Sequence, residues 1–259
     1  MLHPRIIPNL LIHNKGLVKT TNFKDPKYVG DPLNAVKIFN EKSVDELIIT
    51  DIDASAKNVE PNYSLIEKLA MESRMPLCYG GGINNAQEAK RIFSLGIEKV
   101  AISSSAIKDP ILITKIAESV GSQSVVVVID VKKKYLSNNY EIYTHNGTRK
   151  TGINPLKFIN HIKEIGVGEI VINSIDRDGT MKGYDFKIID QVRKITTLPL
   201  TVLGGAGSLD DIGEVIKKYS IIGAGAGSIF VFKGQYRAVL INYPNNKEKM
   251  DLIKNNFKF

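Results

Sequence analysis

The sequence holds one cysteine, no tryptophan and four histidines in 259 residues. A lone cysteine excludes an intrachain disulfide. Cys78 sits in the apolar run "PLCYG", which fits a buried structural thiol better than a nucleophile. His3, His13, His145 and His161 are scattered, and none adjoins a carboxylate cluster in the sequence, so no histidine-based metal site is expected. No apolar run approaches the roughly 18 residues of a membrane helix. The start "MLHPRIIPNLL" lacks the charged, apolar, small order of a secretory leader. A cytoplasmic protein with no membrane partner and no cofactor is the expectation. Acidic charge is in deficit, 27 residues against 35 basic ones, for a net charge of +8. The lysines are spread over helix faces and one "KKK" at 132–134, with no basic stripe interleaved with aromatics. Nucleic acid is therefore not the expected partner, and a phosphorylated or acidic small molecule is.

What is present is a rhythm. Near-continuous apolar runs occur at 5–12, 46–52, 75–79, 99–103, 124–130, 168–174, 199–203 and 220–224. Such runs suit parallel strands buried on both faces. Helical patterns lie between them near 31–43, 62–74, 85–95, 109–120, 154–165, 185–196, 208–218 and 245–257. Asp31 and Pro32 mark one helix start, and an Asn cap and Gly96 bound another. Eight strand–helix units predict an α/β fold of the (β/α)₈ barrel type, a single domain over 1–259. A doubly wound sheet is the runner-up. Asn14 to Phe23 reads as a polar loop. The segment 132–152 alternates around Asn138–Asn139 and predicts a β-hairpin after the fifth strand.

The chain also repeats itself. Gly81 precedes Ser104 by 23 residues, and Gly205 precedes Ser228 by 23. "DELIITDID" resembles "GEIVINSID". Two related half-barrels, about 1–120 and 121–245, are expected. The two Gly-rich turns suggest two phosphate sites, because glycine lets backbone N–H groups approach an oxyanion closely. The candidates are Gly82, Ser103 and Ser104 in the first half. In the second they are Asp178, Gly179, Gly205, Gly227 and Ser228. One turn alone would be explained by tight loop geometry; two at matching spacing favour phosphate.

Asp130 closes "VVVVID", where a carboxylate is costly unless used or paired. It is a candidate general acid or base, against a salt bridge with a lysine such as Lys132. The internal repeat maps Asp130 onto Leu11, so the first half lacks its acid. Asp51, Asp53, Asp176 and Asp178 also end strands and could bind hydroxyls or cap the next loop. No further ligand set accompanies them, and no metal is expected.

The stretches "RIIPNLLIHNKGLVKTTNF", "GDPLNAVKIFNE", "DELIITDIDAS", "YGGGINN", "GSQSVVVVID", "SIDRDGTMKGYD" and "TTLPLTVLGGAG" resemble the cyclase subunit of imidazole glycerol phosphate synthase, the HisF family. The resemblance runs from residue 1 to about 235. It implies a barrel whose bottom face docks a glutaminase subunit, and whose interior passes ammonia to a bisphosphorylated ribulosyl nucleotide at the top. It also implies an ammonia gate at Arg5, Glu46, Lys99 and Glu169, all of the family's residue type, and a Lys at 19 in a mobile loop. Asp130 matches a catalytic aspartate, and the second phosphate site matches apart from Gly227 where Ala is usual.

Three positions depart from the pattern. The family's other catalytic aspartate falls on Leu11, which cannot transfer a proton. A neighbouring aspartate falls on Asn14, and the usual Asn-Thr pair is Ser103-Ser104. The resemblance therefore implies a HisF-like, ammonia-conducting subunit whose ring closure is disabled. Its paralogues in surface-polysaccharide clusters serve a separate sugar amidotransferase that makes acetamidino sugars. The alternatives are a true cyclase with an unorthodox partner for Asp130, and a non-catalytic scaffold that activates a glutaminase.

Overall fold

The computed structural model describes residues 3–135, 137 and 139–257. Eight parallel strands form a closed ring: β1 (Arg5–His13), β2 (Leu47–Asp51), β3 (Leu77–Gly80), β4 (Lys99–Ile102), β5 (Val125–Lys133), β6 (Glu169–Ser174), β7 (Leu200–Leu203) and β8 (Gly223–Ala226). β8 pairs with β1, and β5 with β6, which closes the barrel. The expected (β/α)₈ architecture is observed.

The period-2 geometry of a strand sorts its side chains. In β1, Ile6, Leu10 and Ile12 pack outward with the helices, while Ile7, Asn9, Leu11 and His13 face the interior. Inside the barrel, Ile7, Ile48, Cys78, Ala101, Val126, Val171 and Leu203 form a separate apolar cluster, the waist. Cys78 is buried there, and burial pushes its thiol pKa up, which fits the structural role.

Eight main helices cover the strands: α1 (Pro32–Glu41), α2 (Tyr63–Glu72), α3 (Ala86–Ser94), α4 (Ile111–Val120), α5 (Pro155–Ile162), α6 (Phe186–Arg193), α7 (Leu209–Tyr219) and α8 (Asn246–Asn256). Their starts are chemically marked. Asp31 accepts from Asn34 N–H at 2.9 Å, with Pro32 in the first turn of α1. Ser208 and Asp211 form a reciprocal capping box on α7. No described helix is long and apolar enough to cross a membrane.

Two expectations need correction. The stretch from Asn14 to Phe23 is not a loop. Gly16–Thr21 pairs antiparallel with β1 and with Lys24–Gly30, forming a ribbon. Both of its turns are two residues long with positive φ, Asn14–Lys15 at 48° and 66° and Asn22–Phe23 at 51° and 64°. This is the twist that favours tight hairpins, and asparagine is among the residues that accept it. The last strand is Gly223–Ala226, not 220–224. Apolarity pointed to Ile221–Ile222, but the barrel needs small residues at this strand. A Cβ on Gly223 would lie 1.9 Å from Thr201 Oγ1, and one on Gly225 2.4 Å from Leu203 Cδ2.

The expected hairpin is present. β5 runs on past the barrel and pairs antiparallel with Tyr140–Thr144, with Asp130 opposite Tyr143. Arg149–Lys150 adds to it. Asn138, at its expected turn, lies outside the described residues.

Because β8 has no room beside Leu203, Gly225→Val should destabilise the fold by about 1–3 kcal/mol. Urea denaturation reads this as a lower midpoint; an unchanged midpoint would contradict the packing described.

Candidate functional site

At the N-terminal ends of the strands, Arg5 (β1), Glu46 (just before β2), Lys99 (β4) and Glu169 (β6) converge into one ring. Arg5 pairs with Glu46, and its Nη2 donates to Glu169 Oε1 at 2.7 Å. Lys99 Nζ reaches Glu46 Oε1 and Glu169 Oε2, each at 2.9 Å. Each carboxylate thus bridges both cations. Thr201 on β7 also donates to Glu169, a member the sequence did not reveal. The carboxylate side chains are 5% exposed, those of Arg5 and Lys99 27% and 20%. The cations are thus the more accessible members of the ring.

Above the ring lies the waist, and above the waist a cavity of about 260 Å³. It opens at the C-terminal ends of the strands and descends to Ile48, Cys78, Ala101, Val126, Val171 and Leu203. Its upper wall holds Leu11 and Asp130 together. Asp130 has no lysine partner; Asn173 Nδ2 donates to it at 3.0 Å. Burial pushes the Asp130 carboxyl up to about 7, partly countered by Asn173 and supported by the charge of Asp178. A carboxyl poised near neutrality suits proton transfer. Leu11 offers no such group, so the wall lacks an acid at the position that the internal repeat pairs with Asp130.

The residues of the second Gly-rich turn meet in a pocket off this cavity, lined by Lys19, Asp178, Gly179, Gly205, Gly227 and Ser228. Lys19 is not in a loop. It lies buried in the ribbon, and its Nζ donates to Asp178 at 2.8 Å. Thr20 Oγ1 donates to the other Asp178 oxygen at 3.0 Å. A Cβ on Gly227 would sit 2.9 Å from Lys19 Cε, so the lysine stem uses the space an alanine would fill. Ser228 is 3% exposed and its hydroxyl has no partner.

Of the first-half candidates, Ser103 and Ser104 line the main cavity. Ser103 Oγ is buried without a partner, and Ser104 Oγ accepts from His145 N–H of the hairpin at 3.4 Å. Gly82 stands apart from them. Its N–H points to Ser55 Oγ at 3.4 Å, and a Cβ there would meet Val59 O at 2.9 Å. Gly80 and Gly81 line the cavity instead.

The remaining aspartates are engaged. Asp51 caps the short helix Ile52–Lys57, and Asp176 accepts from Lys133 N–H at 2.8 Å. Asp53 makes a pair with a histidine that the sequence did not indicate. His13 Nδ1 lies 2.7 Å from Asp53 Oδ1, and Lys57 pairs with Asp53 Oδ2 at 3.1 Å. Burial opposes the Asp53 charge, but Asn14 N–H, His13 and Lys57 prevail and lower its pKa. The parity of β1 was the available signal: His13 faces inward like Leu11.

The family model described as histidine biosynthesis protein matches residues 5–237. A Leptospira borgpetersenii protein, named provisionally as imidazole glycerol phosphate synthase subunit HisF, is 58% identical over 98% of this chain and all of its own length. Pseudomonas aeruginosa has a relative provisionally named as subunit hisF2, 50% identical over 95% of this chain and 97% of its own. The imidazole glycerol phosphate synthase subunit HisF of Chloroherpeton thalassium is 38% identical over 90% of this chain and 92% of its own.

The ring sets an acid limit. Burial alone would raise Glu169, but Arg5 first, then Lys99 and Thr201, draw it down to about 2 from its ordinary 4.5. A depressed carboxylate contributes stability above its unfolded pKa, and that contribution is lost as pH falls through 4.5 towards 2. Melting temperature should therefore fall more steeply between pH 5 and pH 3 in the wild type than in Glu169→Gln; equal slopes would contradict the assignment.

Proposed function

Since the chain belongs to the histidine biosynthesis protein family, as a HisF-type synthase subunit, we propose that it pairs with a glutaminase at the bottom of the barrel and conducts ammonia to the mouth for glutamine-dependent amidotransfer. The observation that carries this is the layering along the axis. A closed charge ring sits at the base, an apolar waist above it, and a cavity that reaches down into the waist. Neutral ammonia suits such a path. A bare ammonium ion or another cation would lose hydration in the waist without a compensating charge. The ring is the barrier below, and it opens only if its paired charges exchange partners, which a protein docked on its exposed cations could induce.

At the mouth, the unpaired Ser228 hydroxyl with Gly205, Gly227 and Gly179 forms one phosphate site, and Ser103 with Ser104 forms the other. Asp178 and Lys19 hold each other in the same pocket, so the lysine is placed to meet a phosphate while the aspartate balances its charge. With Leu11 in place of the second acid, Asp130 lacks the partner that ring closure by two proton-transfer groups needs, since Asp51, Asp53 and Asp178 are held in a helix cap and ion pairs. The nitrogen acceptor is accordingly a phosphorylated or nucleotide-linked sugar, handled with a sugar amidotransferase in polysaccharide biosynthesis. Leu11 supports this. So does the higher identity to the provisionally named relatives, 50–58%, than to the Chloroherpeton subunit at 38%.

One observation favours a second reading, cyclase activity in histidine biosynthesis. The His13–Asp53 pair lines the same cavity, one inward-facing position beyond Leu11, and could supply the second proton-transfer group.

An assay with the ribulosyl nucleotide and ammonium salt at high pH separates the two. Ring closure by the wild type should run roughly 10²–10⁴-fold below that of Leu11→Asp. Wild-type turnover that matches Leu11→Asp, and that His13→Ala abolishes, would overturn the proposal in favour of the cyclase.

A further inference from the structure

Directly above the waist the lining turns polar, at Asn9 and Asn173 as well as at Thr50 and Ser103. Asn9 is the next inward residue after Ile7 on β1, and Asn173 the next after Val171 on β6. Both line the main cavity and the Gly-rich pocket beside it. Asn173 is 8% exposed. The side-chain carbonyl oxygens of both, Asn9 Oδ1 and Asn173 Oδ1, are buried and have no hydrogen-bond partner. A buried acceptor left without a donor is costly, and both belong to residues that line the same two cavities. Asn173 is also committed in one direction: its Nδ2 donates to Asp130 Oδ1, which leaves the carbonyl as the free end of the amide. Asp130 stands on the neighbouring strand, with Asn173 opposite it in register.

The chemistry of this group is one-sided. Two unpaired carbonyl oxygens and a carboxylate accept hydrogen bonds and donate none. These three acceptors repel the oxygens of a phosphate or carboxylate, and an apolar ligand leaves the carbonyls unpaired. A small ligand rich in N–H donors satisfies all three. From these positions we infer that Asn9, Asn173 and Asp130 form a binding site for ammonia at the exit of the waist. This rests on the proposal that ammonia travels the barrel. It adds a defined stop, a set of acceptors that a molecule meets on leaving the apolar layer. Ammonia donates its N–H groups to the three acceptors and keeps its lone pair for the electrophile at the mouth.

The test is a titration of the ¹³C,¹⁵N-labelled protein with ammonium chloride at pH 8, followed by NMR of the Asn9 and Asn173 side-chain amides and the Asp130 carboxyl carbon. Saturable shifts confined to these three groups, absent with potassium chloride and lost in Asn9→Leu, are expected. Shifts that grow linearly without saturation, or that potassium chloride reproduces, overturn the site. Transfer of labelled amide nitrogen from glutamine separates this inference from the function it rests on. Transfer with no saturable shift leaves the conduit and removes the stop. A saturable shift with no transfer leaves the site and removes the conduit.

Discussion

Four charges at the base of the barrel depend on one another, and the character of the interior follows from them. Arg5 and Lys99 each contact both Glu46 and Glu169. A buried pair alone gains little over apolar packing, because desolvation offsets the attraction. A closed ring of two cations and two anions leaves no charge uncompensated, so it persists where a single pair would be marginal. The same closure makes it a plug. Removing any one member leaves a net charge at the entrance of an apolar tube.

Polarity is then stratified along the barrel axis. The waist rejects ions because nothing in Ile7, Ile48, Cys78, Ala101, Val126, Val171 and Leu203 replaces water. Above it the lining turns polar at Asn9, Asn173 and Asp130, and the Gly-rich turns and the ribbon close around the mouth. Asn22 ties the ribbon across the mouth, its N–H to Asp178 O at 2.8 Å and its side chain to Ile175 O at 2.9 Å. The parts that would gate, exclude and present a small neutral molecule therefore come from one alternation of inward and outward residues repeated around eight strands.

That alternation also explains what the sequence disclosed. Strands buried on both faces read as apolar runs, and capped helices read from Asp31 and the Asn cap at Asn85. β8 was misplaced because its requirement is smallness beside Thr201 and Leu203, a property of its neighbours that hydrophobicity does not record. The ribbon was missed because its turns carry Asn-Lys and Asn-Phe in place of the usual Asn-Gly, so only the asparagines signalled them. Arg5, Glu46, Lys99 and Glu169 were recognisable only through the family resemblance, since partners 41 to 164 residues apart have no local signature. The His13–Asp53 pair and the unpaired Asn9 and Asn173 carbonyls had no such help, and they emerge only when the strands are wound into a barrel.

Leu11→Asp would place an acid in the cavity that Asp130 also lines and convert the mouth into a reporter of arriving nitrogen. With the cognate glutaminase, amide-¹⁵N glutamine, the ribulosyl nucleotide and a pool of unlabelled ammonium, the ring-closed product measures delivery through the barrel. Product enriched in ¹⁵N above the bulk pool is expected from the Leu11→Asp protein, with the enrichment lost when Arg5→Ala is added. Product whose label equals that of the bulk ammonium in the intact ring would contradict delivery through the barrel.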